Sequence, residues 1–217
     1  MKTSILILLL CAILGTAGCS GDSKSSAQPC IAVKPKTAPA IGREIPDITL
    51  EVLHNEAIKP LRLSAFRGKW LILFFYPADF TFVCPTELRE LSENYDKFRK
   101  AGAEIISIST DSVYVHRAWK EANEDIRKIP YPMASDRSGA LSRLLGVYDE
   151  GRGISLRASF VINPQGRIAA IEMHEESIGR SAAELLRKLE AAVAVSKSDG
   201  GFCPANWTPG KEMIKPK

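Results

Sequence analysis

The sequence predicts an α/β domain with a central mixed sheet flanked by helices, and three observations carry that prediction. Residues 71–76 (LILFFY) form a continuous apolar run ending at Pro77, the pattern of a strand buried on both faces. Residues 104–110 (EIISIST) repeat that character after a helical segment. Further on, residues 163–166 (Asn-Pro-Gln-Gly) separate two more strand-like runs, which reads as a hairpin turn.

The elements follow in order. After the first strand, Leu88, Leu91, Tyr95 and Phe98 recur at helical spacing between residues 85 and 100. Glu87 and Glu90 fall in the early turns and Lys97, Arg99 and Lys100 in the last, matching the helix dipole, and Gly102 ends the helix. The strand at 104–110 comes next, then a helix over residues 112–123 and a short helix. Strands at 157–162 and 167–173 form the hairpin, and residues 181–195 close the domain as an amphipathic helix with Leu185, Leu186, Leu189 and Val193 on its apolar face. No internal repeat is present.

Composition bounds what such a domain can be. Of 217 residues, 45% are hydrophobic and 25% charged, the balance of a chain with a real core, which excludes disordered, collagen-like and multi-span membrane classes. A net charge of +4, spread without blocks, is too weak to imply nucleic acid. The folded part is expected over residues 41–198, with a tail at 199–217. Residues 1–18 stand outside it. Lys2 and the apolar run at 5–14 (ILILLLCAIL) have the length of a secretion-signal core, about half that of a membrane span. Gly15, Thr16, Ala17 and Gly18 then lead to Cys19, and the segment resembles a bacterial lipoprotein signal, cut before a cysteine that carries diacylglycerol. Thr16 departs from the leucine usual at that place. Residues 19–40 are rich in Ser, Lys, Pro and Ala and read as a flexible linker, with Cys30 a bystander. A cell-envelope protein, membrane-anchored through Cys19, is the expectation.

Cys84 is the residue on which the chemistry turns. It follows a buried strand and precedes a helix, with Pro85 suited to the first helical position, so Cys84 is expected at the N-terminal cap, where free backbone N–H groups and the helix dipole favour a thiolate. Strand ends of open α/β sheets are also where ligands bind. A cap cysteine by itself is more often packing than nucleophile.

Residues 76–88 (YPADFTFVCPTEL) closely resemble the active-site segment of typical two-cysteine peroxiredoxins of the alkyl hydroperoxide reductase type, with Pro77, Thr81 and Cys84 at the family's Pro-x-x-x-Thr-x-x-Cys spacing. Residues 202–210 (FCPANWTPG) resemble the family's resolving-cysteine segment. The resemblance runs from Ile41-Gly42 nearly to the C-terminus. It implies a thioredoxin-like fold with peroxiredoxin additions. It also implies a peroxidatic Cys84, a resolving Cys203 supplied by a partner subunit, and an active-site Arg157 beside the thiolate. The same resemblance implies that Thr81 accepts from the peroxide while bonded to the sulfur and that Pro77 shields the sulfenic acid; Glu87 and Arg180 read either as a pair that orients Arg157 from behind, by resemblance, or as a surface salt bridge. The expected substrates are hydrogen peroxide and organic hydroperoxides, the partners a second copy of the chain (a homodimer, often built into a decamer) and a thioredoxin-like dithiol reductant. Ala158-Ser159 depart from the common Gly-Leu and Asn163 from the common Asp; neither departure is expected to touch the chemistry.

No cofactor or metal is called for: His54, His116 and His174 are scattered without metal-ligand spacing and are expected on surfaces, while Trp70, Trp119 and Trp207 are expected to pack. Two other readings compete. An envelope thiol–disulfide oxidoreductase normally carries Cys-x-x-Cys, but the position three after Cys84 is Glu87. A redox-linked chaperone role is compatible with the peroxidase. Family members prone to overoxidation carry a Gly-Gly-Leu-Gly insertion and a C-terminal helix with Tyr-Phe. Residues 126–136 (IRKIPYPMASD) lack the insertion and few residues follow Gly210, so resistance to peroxide is expected.

Overall fold

The computed structural model describes residues 40–216; the expected signal segment, Cys19, Cys30 and all but the last residue of the expected linker lie outside the described residues. Strand β3 (Trp70–Phe75) is the spine of a seven-stranded sheet. Its alternate side chains feed two cores. Trp70, Ile72 and Phe74 join one core, while Leu71, Leu73 and Phe75 join the other, which is why this strand has no polar face.

Around β3 lie β1 (Thr49–His54), β2 (Ala57–Arg62), β4 (Ala103–Ser109), β5 (Met133–Ser135), β8 (Arg157–Ile162) and β9 (Ile168–His174), in the order β2-β1-β5-β4-β3-β8-β9. The β3–β4 and β4–β5 pairs are parallel and the others antiparallel, so the sheet is mixed as expected. A separate small pair is formed by β6 (Tyr148–Asp149) and β7 (Ile154–Ser155). The helices are α1 (Cys84–Glu93), α2 (Tyr95–Lys100), α3 (Val113–Ala122), α4 (Glu124–Arg127), α5 (Ala140–Leu144) and α6 (Ala182–Lys197). Leu88 and Leu91 of α1, Phe98 of α2, Trp119 of α3 and Leu185 and Leu189 of α6 pack on the Trp70 side, and Leu141 of α5 on the other.

The single helix expected over residues 85–100 is two. Asn94 breaks it: its side-chain Nδ2 donates to Glu90 O at 2.8 Å, its own backbone leaves helical geometry, and Lys97 N starts α2 on Asn94 O at 2.9 Å. The hairpin of β1 and β2 was not foreseen. Its two-residue turn, Asn55 and Glu56 with φ 50° and 60°, is the left-handed pair such a hairpin requires, with Glu where glycine would announce it. Pro60 is tolerated because β2 is an edge strand. The hairpin expected around 163–166 is present, with Asn163 Oδ1 accepting from Gln165 N and Arg167 N and the second strand shifted one residue on.

The three tryptophans are buried, as expected. The histidines differ: His54 and His174 are part-exposed, but His116 is wholly buried. Its Nδ1 lies 2.7 Å from Asp79 Oδ2, a partner that reconciles an imidazole with a core position. The tail returns on itself through reciprocal bonds between Phe202 and Ile214, and Trp207 is held where Arg187 Nη1 donates to its carbonyl at 3.1 Å.

Candidate active site

The segment between β3 and α1 is fastened before it reaches the cysteine. Tyr76 donates from its hydroxyl to Asp79 Oδ1 at 2.8 Å, Asp79 N donates to Asp111 Oδ2 at 2.8 Å, and the His116 contact holds the second carboxylate oxygen of Asp79. Burial raises the Asp79 carboxyl above the usual range, with the His116 bond and charge partly opposing the rise. Burial likewise lifts the Tyr76 phenol well above its ordinary value, with the Asp79 charge adding to it. Phe80 takes a left-handed φ of 54° and lays its ring against Trp119. This bracing fixes where Cys84 emerges. None of it was read from the sequence, because its partners come from three separate elements.

Cys84 is the first residue of α1, with Val83 at the cap, one position later into the helix than expected; Pro85 occupies the next place. The Cys84 side chain is buried, and Arg157 Nη1 lies 3.7 Å from its Sγ. Arg157 comes from the start of β8, where the antiparallel β3–β8 register brings it beside the end of β3. The same Nη1 donates to Glu87 Oε2, and Nε and Nη2 donate to Glu176 O at 3.1 and 2.8 Å.

Glu87 is a buried carboxylate, not a surface acid serving the helix dipole. Arg180 grips it three times, through the backbone N at 2.7 Å, Nε at 3.0 Å and Nη2 at 3.1 Å. Glu87, Arg157 and Arg180 are each under 5% exposed, so this is an internal Arg–Glu–Arg triad. The Arg180 guanidinium also lies over the Phe74 ring, 3.5 Å from its centroid. Burial lowers its pKa, and the Glu87 bond opposes that.

Pro77 is buried at the foot of the loop. The Thr81 hydroxyl donates to Ala78 O at 3.0 Å, so its one proton is used on the loop and not on the sulfur, a correction to the expected bonding; its oxygen remains an acceptor. Cys203 is not part of this cluster. It is half-buried on the far half of α6, its Sγ 3.7 Å from Ala191 O, and both it and Cys84 are free thiols. Ser159, expected to be irrelevant, accepts from Arg180 Nη1 at 3.0 Å, whereas Asn163 stays in its distant turn. Among the described residues, no group of three His, Cys, Asp or Glu side chains could hold a metal.

Residues 41–171, which hold Cys84, Glu87 and Arg157, match the AhpC/TSA family. The chain belongs to the AhpC/TSA family. Residues 192–217 further match the C-terminal domain of 1-Cys peroxiredoxin, a stretch that contains Cys203. Among AhpC/TSA relatives, alkyl hydroperoxide reductase C of Salmonella typhimurium is 44% identical, with 76% of this chain and 95% of that protein covered. The protein of the same name from Bacillus subtilis is 39% identical, with coverage of 81% and 94%. The crystal structure of Enterococcus faecalis AhpC superposes with a TM-score of 0.74 at 43% identity, covering 76% of this chain and all but 1% of that one (99%). The reduced 2-Cys peroxiredoxin of Plasmodium vivax gives a TM-score of 0.77 at 35% identity, with coverage of 82% and 93%. Both structures share the thioredoxin-like fold seen here.

Proposed function

We infer that this chain, a thiol-dependent peroxidase by its family, reduces hydrogen peroxide and organic hydroperoxides through Cys84. The observation that carries the assignment to Cys84 is the buried sulfur 3.7 Å from a guanidinium that is itself fixed by Glu87 and the Glu176 carbonyl. The Cys84 thiolate attacks one peroxide oxygen and breaks the O–O bond. The other oxygen leaves with the bonding pair, takes a proton and departs as water or alcohol, and the sulfur is left as a sulfenic acid. Arg157 meets the charge growing on the leaving oxygen and holds the peroxide in line. Thr81 accepts a hydrogen bond from the peroxide, and Pro77 keeps water from the sulfenic acid.

The sulfenic acid then condenses with the Cys203 thiol of a second copy, releasing water and forming an intersubunit disulfide. Cys203 lies at the level of Ala191, about 14 Å along α6 from the helix start next to Arg180. A disulfide needs Cα atoms within about 7 Å, which supports a partner subunit as the source of the thiol. A thioredoxin-like dithiol returns both cysteines to thiols and is itself oxidised. The leader supports export and a diacylglycerol anchor on Cys19 in a bacterial envelope. The oxidoreductase alternative has nothing to support it, since Glu87 is committed to the two arginines.

Purified protein with peroxide and a dithiol donor tests the assignment. Cys84→Ser is expected to abolish turnover. Cys203→Ser is expected to allow one equivalent of peroxide to be consumed without cycling, and to run as a monomer on a non-reducing gel where the oxidised wild type runs as a dimer. Turnover surviving in Cys84→Ser would remove the nucleophile, and a monomeric oxidised wild type would point to an intrasubunit bond.

A further inference from the structure

The sequence of β8 contains a position that its surroundings do not ask for. Ala158, Phe160, Val161 and Ile162 are all apolar and buried, yet Ser159 among them is only 1% exposed. Residues two apart on a strand share a face, so Ser159 stands on the same side of β8 as Arg157. Directly opposite Ser159 are Phe74 on β3 and Glu172 on β9.

These neighbours enclose Arg180. The Phe74 ring covers one face of its guanidinium, Glu87 takes Nε and Nη2, and Ser159 Oγ takes Nη1 at 3.0 Å. Glu172 is the competing carboxylate. Its side chain is itself tucked in at 9% exposure, ion-paired with Lys188 at 3.2 Å and with His174 at 3.0 Å, yet its Oε2 accepts no hydrogen bond, and it stands across the strand pair from Ser159. A buried guanidinium with one donor unpaired would turn to recover a partner, and Glu172 is the charged group on that side. Turning would loosen the two bonds to Glu87.

We propose that Ser159 is a positioning residue for the peroxidase reaction: its hydroxyl fixes Arg180 on Glu87, so that Glu87 holds Arg157 against the Cys84 sulfur. The proposal rests on the function assigned to Cys84 above and names one further member of that machinery. Ser159 touches neither the sulfur nor the peroxide. Its effect passes through two bonded charges, so it should be smaller than the hundredfold or greater loss seen when a donor to the reacting oxygen is removed; roughly tenfold is the expectation.

The test uses the full-length protein with Ser159→Ala and Ser159→Thr. Cys84 oxidation by hydrogen peroxide is followed by stopped-flow tryptophan fluorescence, and Cys84 alkylation by chloroacetamide in parallel. Ser159→Ala is expected to slow peroxide reduction roughly tenfold while alkylation, which needs no oriented leaving oxygen, changes about threefold or less. Ser159→Thr, which restores the acceptor, should return most of the peroxide rate. Equal losses in both reactions, or no rescue by Thr in a variant whose melting temperature matches Ser159→Ala, would show that the hydroxyl only fills space. An unchanged peroxide rate in Ser159→Ala would overturn the proposal outright. A wild type that does not oxidise Cys84 would instead overturn the peroxidase assignment on which it rests.

Discussion

Glu87 is a single negative charge shared by two guanidinium groups inside the protein, and its removal is the most informative single change at the site. Glu87→Gln leaves Arg157 and Arg180 buried beside each other without the carboxylate that bonds both. Breaking a buried pair by removing one partner costs about 3–5 kcal/mol, so urea denaturation should show a loss of that order, with peroxide reduction falling by more than Ser159→Ala produces. A loss below about 1 kcal/mol would mean the triad is far more hydrated than its burial implies. Asp79 gives a second test, in pH. Its folded carboxyl is raised by burial, so the folded chain binds that proton more readily than the unfolded chain does. The stability it contributes is therefore complete below the ordinary carboxylate range and is lost as pH rises through its folded value. Asp79→Asn cannot ionise and should remove that component, so its melting temperature should decline less than the wild type's across that interval; parallel curves would take Asp79 out of the linkage. Residues of these two kinds were unequally legible in the sequence. Cys84, Arg157, Glu87 and Arg180 stand in segments whose likeness to a family announces them, whereas His116, Asp79 and Ser159 look like ordinary core or surface positions until the fold brings their partners from other elements.

At the level of elements, the first turn of α1 decides the fate of an oxidised Cys84. On the proposed function the sulfur has to leave its pocket to meet Cys203, which requires that turn to unwind, and the alternative is attack by a second peroxide to give the sulfinic acid. The segment between α4 and β5 is a short turn without a glycine-rich insertion, and the described tail folds as a bridge between Phe202 and Ile214 with no helix laid over α1. Opening should therefore be easy and the disulfide should win. Mass spectrometry of Cys84 after repeated turnover, with dithiol in excess, should show little sulfinic acid at sub-millimolar peroxide; extensive overoxidation would reveal some other lock on the helix. The elements also divide by legibility. Strands β3, β4 and β8 were readable because both faces are buried, so that apolar residues stand at adjacent positions (LILFF, II, FVI) rather than alternating with polar ones. The β1–β2 hairpin was missed because it carries Pro60 and an Asn-Glu turn, and β5 because three residues make no pattern. The break at Asn94 was hidden because the apolar spacing continues across it, and only the local side-chain bond to Glu90 interrupts the backbone.

Over the whole molecule, the two thiols sit in surroundings of different character: Cys84 in the packed sheet-and-helix core, Cys203 in a tail clipped onto α6. The clips are few. Onto α6 the tail is held by the Arg187 bond to the Trp207 carbonyl and the contact of the Cys203 sulfur with Ala191 O, and within itself by the Phe202–Ile214 bridge and the Trp207 Nε1 bond to Lys211 O, with the Trp207 ring buried. On the proposed function, carrying Cys203 to a neighbouring Cys84 would undo several of these contacts at once, so oxidation would exchange a docked tail for one tethered by its sulfur. That exchange releases the backbone at Lys211, whose side chain is already exposed but whose carbonyl is held by Trp207 Nε1, in one redox state and not in the other. Trypsin should therefore cut the peroxide-treated protein near its C-terminus faster than the dithiol-treated protein, making limited digestion a direct gauge of how much of the enzyme, in a cell or in a tube, is waiting for electrons.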